Sequence, residues 1–85
     1  MAQERMERKR ETMGRRLAAA RALCGLSQAE AAERAGFAQP YLSLLENDKA
    51  ASPSLNAVSK LAGIYGVSID YLVRGEPAAP QPAGA

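Results

Sequence analysis

The feature that most constrains this chain is a break only three residues long. Two short helical stretches, Gln28 to Ala35 and Gln39 to Asn47, are separated by Gly36-Phe37-Ala38 alone. Ser27-Gln28-Ala29-Glu30 opens the first with a serine at the cap and a glutamate three residues on, the reciprocal pattern that satisfies two orphaned backbone donors. Gly36 stops it. Pro40 stands in the first turn of the second stretch, where no backbone donor is needed. So short a link cannot lay two helices antiparallel. They must cross steeply, with the second held out from the body. The first offers only Ala31, Ala32 and Ala35 as an apolar face, which works only if another helix packs very close.

The remaining segments read as helix by the same signs. Met13, Leu17, Ala20 and Cys24 recur at i, i+4, i+7 and i+11, one stripe of a helix that Gly25 ends. The stretch from Gln3 to Cys24 has no proline, and Glu4 with Arg8 and Glu11 with Arg15 are well-oriented i,i+4 pairs. These predict that the first helix continues upstream. Leu42 and Leu45 face the core with Phe37 behind them, while Gln39, Ser43 and Asn47 face away. Asp48 to Ala51 is expected as a loop. Ser52-Pro53 is expected to start a fourth helix, with Pro53 at its first position and Leu55, Val58, Leu61, Ala62 and Tyr65 buried. Ser68 can cap a last short helix, Ile69 to Val73, closed by Gly75. The expected organisation is all-α: a charged extension over 1–12, a five-helix body over 13–75 and a disordered Pro/Ala-rich tail over 76–85.

Composition decides how such helices can pack and which chemistries are open. At 85 residues there is room for one small domain. Alanine supplies 18 of its apolar residues, and Leu, Ile, Val and Phe together only 15, which suits closely approaching helices. With no histidine, histidine metal sites and His-dependent triads are excluded. The lone Cys24 has no internal disulfide partner and reads as a small packing residue. No metal, cofactor or catalytic activity is implied. Neither a membrane span nor a signal peptide is legible, so a cytoplasmic protein without a membrane partner is the default. The net charge of +2 is uneven: residues 1–21 carry +4 and the rest −2. A basic end on a near-neutral body suggests a polyanionic partner, nucleic acid before anionic membrane. Arg15 and Arg16 read as surface cations.

Many spaced positions together carry a resemblance. They are Met13-Gly14-Arg15-Arg16-Leu17, Arg21, Gly25-Leu26-Ser27-Gln28, Ala31-Ala32, Gly36, Tyr41-Leu42-Ser43, Leu45-Glu46-Asn47, Pro53-Ser54-Leu55, Leu61-Ala62 and Gly66-Val67-Ser68-Ile69-Asp70-Tyr71-Leu72. This pattern resembles the lambdoid repressor/Cro-like helix-turn-helix family, also called XRE, from about Met13 to Glu76. The resemblance implies a five-helix lambda-repressor-like domain whose third helix enters the major groove of double-stranded DNA, usually as a homodimer. It also implies roles for matching residues. Gln28 would bind a phosphate at the start of the second helix. Gln39, Pro40 and Leu44 would face bases, with Ser43 alongside. Tyr41, Asn47 and Lys49 would touch the sugar-phosphate backbone, and Arg21 would pair with Glu46 to join the first and third helices.

The chain departs from the pattern where it matters for readout. Two base-facing positions hold Pro40 and Leu44 rather than polar residues. Ala38 stands where the third helix usually has a Ser or Thr cap, and Ser54 where some relatives have a minor-groove arginine. Hydrogen-bond readout is therefore thin, and DNA shape takes a larger share. Leu44 reads equally as a rim residue or as a contact to a thymine methyl. Two functions follow: a dimeric repressor acting on a palindromic operator, or a protein-interaction module such as an antitoxin or bridge, for which a protein partner is the main target.

Overall fold

The computed structural model describes residues 11–75, and the charged extension and the Pro/Ala-rich tail fall almost wholly outside them. Five helices follow in order: α1 (Met13–Leu23), α2 (Gln28–Ala35), α3 (Gln39–Glu46), α4 (Leu55–Tyr65) and α5 (Ile69–Arg74). No strand occurs among the described residues. Their starts are set by local chemistry. Ser27 accepts from the Glu30 amide at 3.0 Å while Glu30 accepts from the Ser27 amide at 2.8 Å, closing the expected box. The Ser27 amide, and after it the Ser27 hydroxyl, hold the Glu30 carboxyl below its usual range. Ser54 and Ser68 cap α4 and α5 through the hydroxyl alone, accepting from the Ala57 and Tyr71 amides. Only α3 lacks a side-chain cap; Ala38 has no hydroxyl, and Pro40 removes one orphan donor instead.

The turn between α2 and α3 is made by Gly36, whose φ of 85° lies in the left-handed region. The Gly36 and Phe37 amides both return to the Ala32 carbonyl, at 2.8 and 3.1 Å. Chain direction thus changes within the three-residue break. Ala31, Ala32 and Ala35 are buried on α2, letting α3 and α4 approach it closely. α1 packs on α3 and α5, and α4 packs on α5. Leu17, Leu42, Leu45, Leu61 and Leu72 are fully enclosed at the centre. Each contributes about 1.5–3 kcal/mol by leaving water.

Several expectations are corrected. The first helix starts at Met13, where Thr12 is extended (φ −105°, ψ 170°) and caps it, and the helix expected further upstream falls on residues 1–10, outside the described part. The fourth helix starts at Leu55, not at Pro53, because Ser54 supplies the cap. Leu55, expected in the core, is 67% exposed: it is the first residue of α4, and burial on that helix begins at Ala57. Cys24 caps the end of α1 and is exposed rather than packed.

Arg16 is the largest departure. Expected on the surface, it is buried, donating from Nε to the Leu72 carbonyl (2.9 Å), from Nη2 to that of Val73 (3.2 Å) and from Nη1 to that of Glu11 (3.0 Å). A guanidinium offers five donors in a fixed fork, and here three of them answer carbonyls. Two of these belong to the negative end of α5, so the buried charge is stabilised without a carboxylate.

Candidate nucleic-acid interface

Gly14 sets the approach of α1 to α3. A Cβ there would lie 2.5 Å from the Glu46 carbonyl oxygen and 2.6 Å from that of Leu45, so only glycine allows this contact. Asp48 completes the joint from the loop after α3. It adopts φ 58°, a left-handed conformation that Asp tolerates better than most residues. Its carboxylate accepts from the Thr12 hydroxyl and, at 3.0 Å, from the Gly14 amide. The negative charge sits at the positive end of α1. Neither residue stood out in the sequence as part of a site. A glycine inside a helical stripe was the one available signal for Gly14.

A chain of polar side chains runs from this joint to the surface. Arg21 grips Glu46 with two bonds, Nε to Oε2 at 2.7 Å and Nη2 to Oε1 at 3.1 Å, while its Nη1 donates to the Leu26 carbonyl at 2.8 Å. The bond to Glu46 raises the Arg21 pKa despite partial burial, so it stays charged. Gln28 Nε2 donates to Glu46 Oε1 at 2.9 Å, and Gln39 Nε2 donates to Gln28 Oε1 at 3.2 Å. The direction of this relay is dictated by chemistry. A carboxylate only accepts, so Gln28 must turn its amide nitrogen inward and its oxygen outward. Gln39 must then give one N–H to that oxygen. Its own oxygen and second N–H remain for a ligand beyond the exposed start of α3.

The other candidate residues divide into two groups. Pro40 and Leu44 are exposed on α3, and Leu44 retains 44% of its surface. Ser43 is half-buried, with its carbonyl and hydroxyl accepting from the Asn47 side chain at 2.8 and 3.5 Å. Asn47 is thereby folded back on α3. Tyr41 packs edge-on against Phe37, centroids 5.3 Å apart, and its hydroxyl accepts from the Ser54 amide at 3.1 Å. The hydroxyl proton stays available to an outside acceptor. Lys49 is exposed beside Asp48. The structure thus joins Arg21, Glu46, Gln28 and Gln39 in one network, pairs Ser43 with Asn47, and turns Tyr41 toward α4.

Behind the network lies Tyr65. It is buried, and its hydroxyl has no hydrogen-bond partner among the described residues. Burial, reinforced by the charge of Glu46 and opposed by Arg21, pushes its pKa up to about 12. Sequence reasoning placed Tyr65 in the core but gave no sign that its hydroxyl would stand unpartnered.

Two short packed helices joined by a three-residue turn, the second carrying an exposed polar start fixed from behind, define a helix-turn-helix module. The helix-turn-helix family model matches residues 17–72, and the chain belongs to that family, in its XRE branch. It is 39% identical over 67 residues to the HTH-type transcriptional regulator PuuR of Escherichia coli (strain K12), an alignment covering 79% of this chain and 35% of PuuR. This chain therefore spans about a third of that relative's length. Among solved structures it is similar to the biofilm master regulator SinR in complex with DNA (34% identity, TM-score 0.67, 72% of this chain and 97% of that one). It is also similar to the P22 c2 repressor in complex with a synthetic operator (26% identity, TM-score 0.71, 76% and 97%).

Proposed function

We propose that this chain is the DNA-binding module of a transcriptional repressor, and that it acts by placing α3 in the major groove. The observation that carries the reading is the relay from Arg21 through Glu46 and Gln28 to Gln39, which holds one amide at the exposed helix start in a single orientation. An amide with one oxygen and one N–H available can bond bidentately to adenine N6 and N7, worth roughly 1–3 kcal/mol of discrimination. Leu44 offers a thymine methyl an apolar partner, and Pro40 can only touch or exclude. The half-site core should therefore contain A·T pairs. In the same reading Gln28, Tyr41, Asn47 and Lys49 meet phosphates, and Ser43 supports the base-facing side. That the similar SinR and P22 c2 repressor proteins occur in complex with DNA supports DNA as the partner.

The module works as a homodimer on a palindromic operator, with two copies of α3 about 34 Å apart on one DNA face. Of the last helix, Leu72 is fully buried and cannot serve the dimer contact, whereas Val73 is 49% exposed and can. The test is binding to DNA upstream of the protein's own gene, followed by sequence selection. Gln39→Ala should relax preference at one base pair per half-site. Lys49→Ala should weaken all sequences about equally. A G-rich selected core, or preference unchanged in Gln39→Ala, would refute the readout. Absence of any DNA binding, with a co-purifying protein, would favour the interaction-module alternative.

A further inference from the structure

Four of the five helices are closed by a glycine in the left-handed region: Gly25 after α1, Gly36 after α2, Gly66 after α4 and Gly75 after α5, with φ between 73° and 85°. α3 is closed differently. Asp48 takes that position at φ 58°, and among the described residues it is the only one besides glycine with a positive φ. The closing bonds are the usual pair: the Asp48 amide donates to the Leu45 carbonyl at 3.2 Å and the Lys49 amide to that of Leu44 at 2.8 Å. Glycine would make both without strain. Aspartate also sets a negative charge beside the exposed Lys49, where the DNA reading requires attraction to phosphates. A strained backbone and a charge of the wrong sign both count against Asp48, so its side chain must do something that outweighs them.

That side chain reaches back to α1. Its carboxylate accepts from the Thr12 hydroxyl and, at 3.0 Å, from the Gly14 amide. Thr12 in turn caps α1, accepting from the Arg15 amide at 3.2 Å. Both donors lie at the positive end of an 11-residue helix, which offsets the carboxylate charge. Gly14 is itself pressed against the Leu45 and Glu46 carbonyls, so the anchor is packed on the end of α3. With glycine at position 48 the left-handed turn would be allowed but not enforced, since glycine enters other regions about as readily. With Asp48 tied to α1 the turn has one conformation, and the chain leaves α3 in one direction. Lys49 is the first residue along it. The far end of the same loop is tied as well, by the Ser54 amide donating to the Tyr41 hydroxyl at 3.1 Å.

We propose that Asp48 is a positioning residue for DNA binding: its carboxylate, latched on the start of α1, fixes the turn after α3 so that Lys49 meets a phosphate from a preset place. This rests on the DNA reading above, in which Lys49 contacts the backbone, and adds the device that holds it there. Asp48 itself touches no nucleic acid. Ordering Lys49 in advance lowers the entropy lost when it binds.

The test separates the latch from the charge. Asp48→Asn and Asp48→Gly remove the same negative charge. Asparagine tolerates the left-handed turn and can still accept from the Gly14 amide, whereas glycine has no side chain to latch. Binding of the full chain to a random-sequence duplex and to the DNA upstream of the gene is followed by fluorescence anisotropy at one fixed salt concentration, below the thermal midpoint of every variant. Asp48→Asn should bind at least as tightly as wild type. Asp48→Gly should bind roughly three- to tenfold more weakly than Asp48→Asn, on both duplexes alike. Combined with Lys49→Ala, the two substitutions at position 48 should differ by less than about twofold, because the residue they position is gone. In the free protein, NMR relaxation should give the Lys49 amide an order parameter of about 0.85 in wild type and Asp48→Asn, and below about 0.6 in Asp48→Gly. Equal affinities for Asp48→Asn and Asp48→Gly, or a Lys49 amide as ordered in Asp48→Gly as in wild type, would overturn the inference and leave the DNA reading intact. So would a difference that persists in full with Lys49→Ala, which marks a general fault in the fold. A wild-type chain that binds neither duplex overturns both.

Discussion

Removing one partner of the Arg21–Glu46 pair should destabilise the protein more than removing both. The Glu46 side chain is 5% exposed and that of Arg21 19%. In Arg21→Met, Glu46 keeps the Gln28 amide but loses both guanidinium bonds, leaving a nearly enclosed carboxylate with one donor. Breaking a buried pair on one side costs about 3–5 kcal/mol, much of it from the charge left behind. Glu46→Leu should cost less, because Arg21 keeps the Leu26 carbonyl at 2.8 Å and lies nearer to water. In the double variant both charges are gone and two apolar side chains meet over Leu17 and Leu45, so the loss should fall below that of Arg21→Met alone. Against a total stability of about 5 kcal/mol for so small a domain, the single variant should be close to unfolded at room temperature. Urea unfolding of the four proteins, followed by far-ultraviolet circular dichroism, measures the cycle directly. A double variant less stable than Arg21→Met would refute this account of the pair. The same series reports on function. Glu46→Leu, where folded, should lose base preference as Gln39→Ala does, because Gln28 no longer has a fixed acceptor to orient it.

Three further outcomes are expected. Gly14→Ala should cost about 2–4 kcal/mol in chemical denaturation, since its Cβ would meet two carbonyls at 2.5 and 2.6 Å and push α1 away from α3. Tyr65→Phe removes a hydroxyl without a partner, so at pH 7 thermal melting should show no loss and up to about 1 kcal/mol of gain. A folded-state pKa of about 12 against the ordinary tyrosine value of 10.0 means the unfolded chain releases this proton first as pH rises, so wild-type stability falls between those values. Tyr65→Phe should lack that part of the alkaline loss, and identical pH profiles for the two proteins would contradict it. Arg16→Met should cost about 2–4 kcal/mol by leaving the last carbonyls of α5 without donors, with amide exchange rising first in α5.

Much of this protein was determined by residues close together in the chain. The serine caps, the Ser27–Glu30 box, the Gly36 turn and the alanine face of α2 act over one to four positions, so the sequence alone set where α2, α3 and α5 lie and that a tight turn joins the first two. Spacing of Leu17, Leu42, Leu45 and Leu61 within their helices likewise sufficed to name most of the centre of the core, whereas the burial of Leu72 was not legible there. What the sequence could not decide by itself depends on contacts between distant segments. Nothing near Arg16 shows that it will meet carbonyls 56 and 57 residues away. Nothing near Asp48 shows that it will accept from the Gly14 amide, 34 residues earlier, in the first turn of α1. Pro53 offered a plausible helix start, yet Ser54 prevailed as the cap, which left Leu55 on the surface. The pairing of Arg21 with Glu46 was anticipated only through family resemblance, and the outward aim of the Gln39 oxygen not at all. That aim follows from a buried carboxylate that can only accept, transmitted through Gln28, and it exists only once α1, α2 and α3 are packed together.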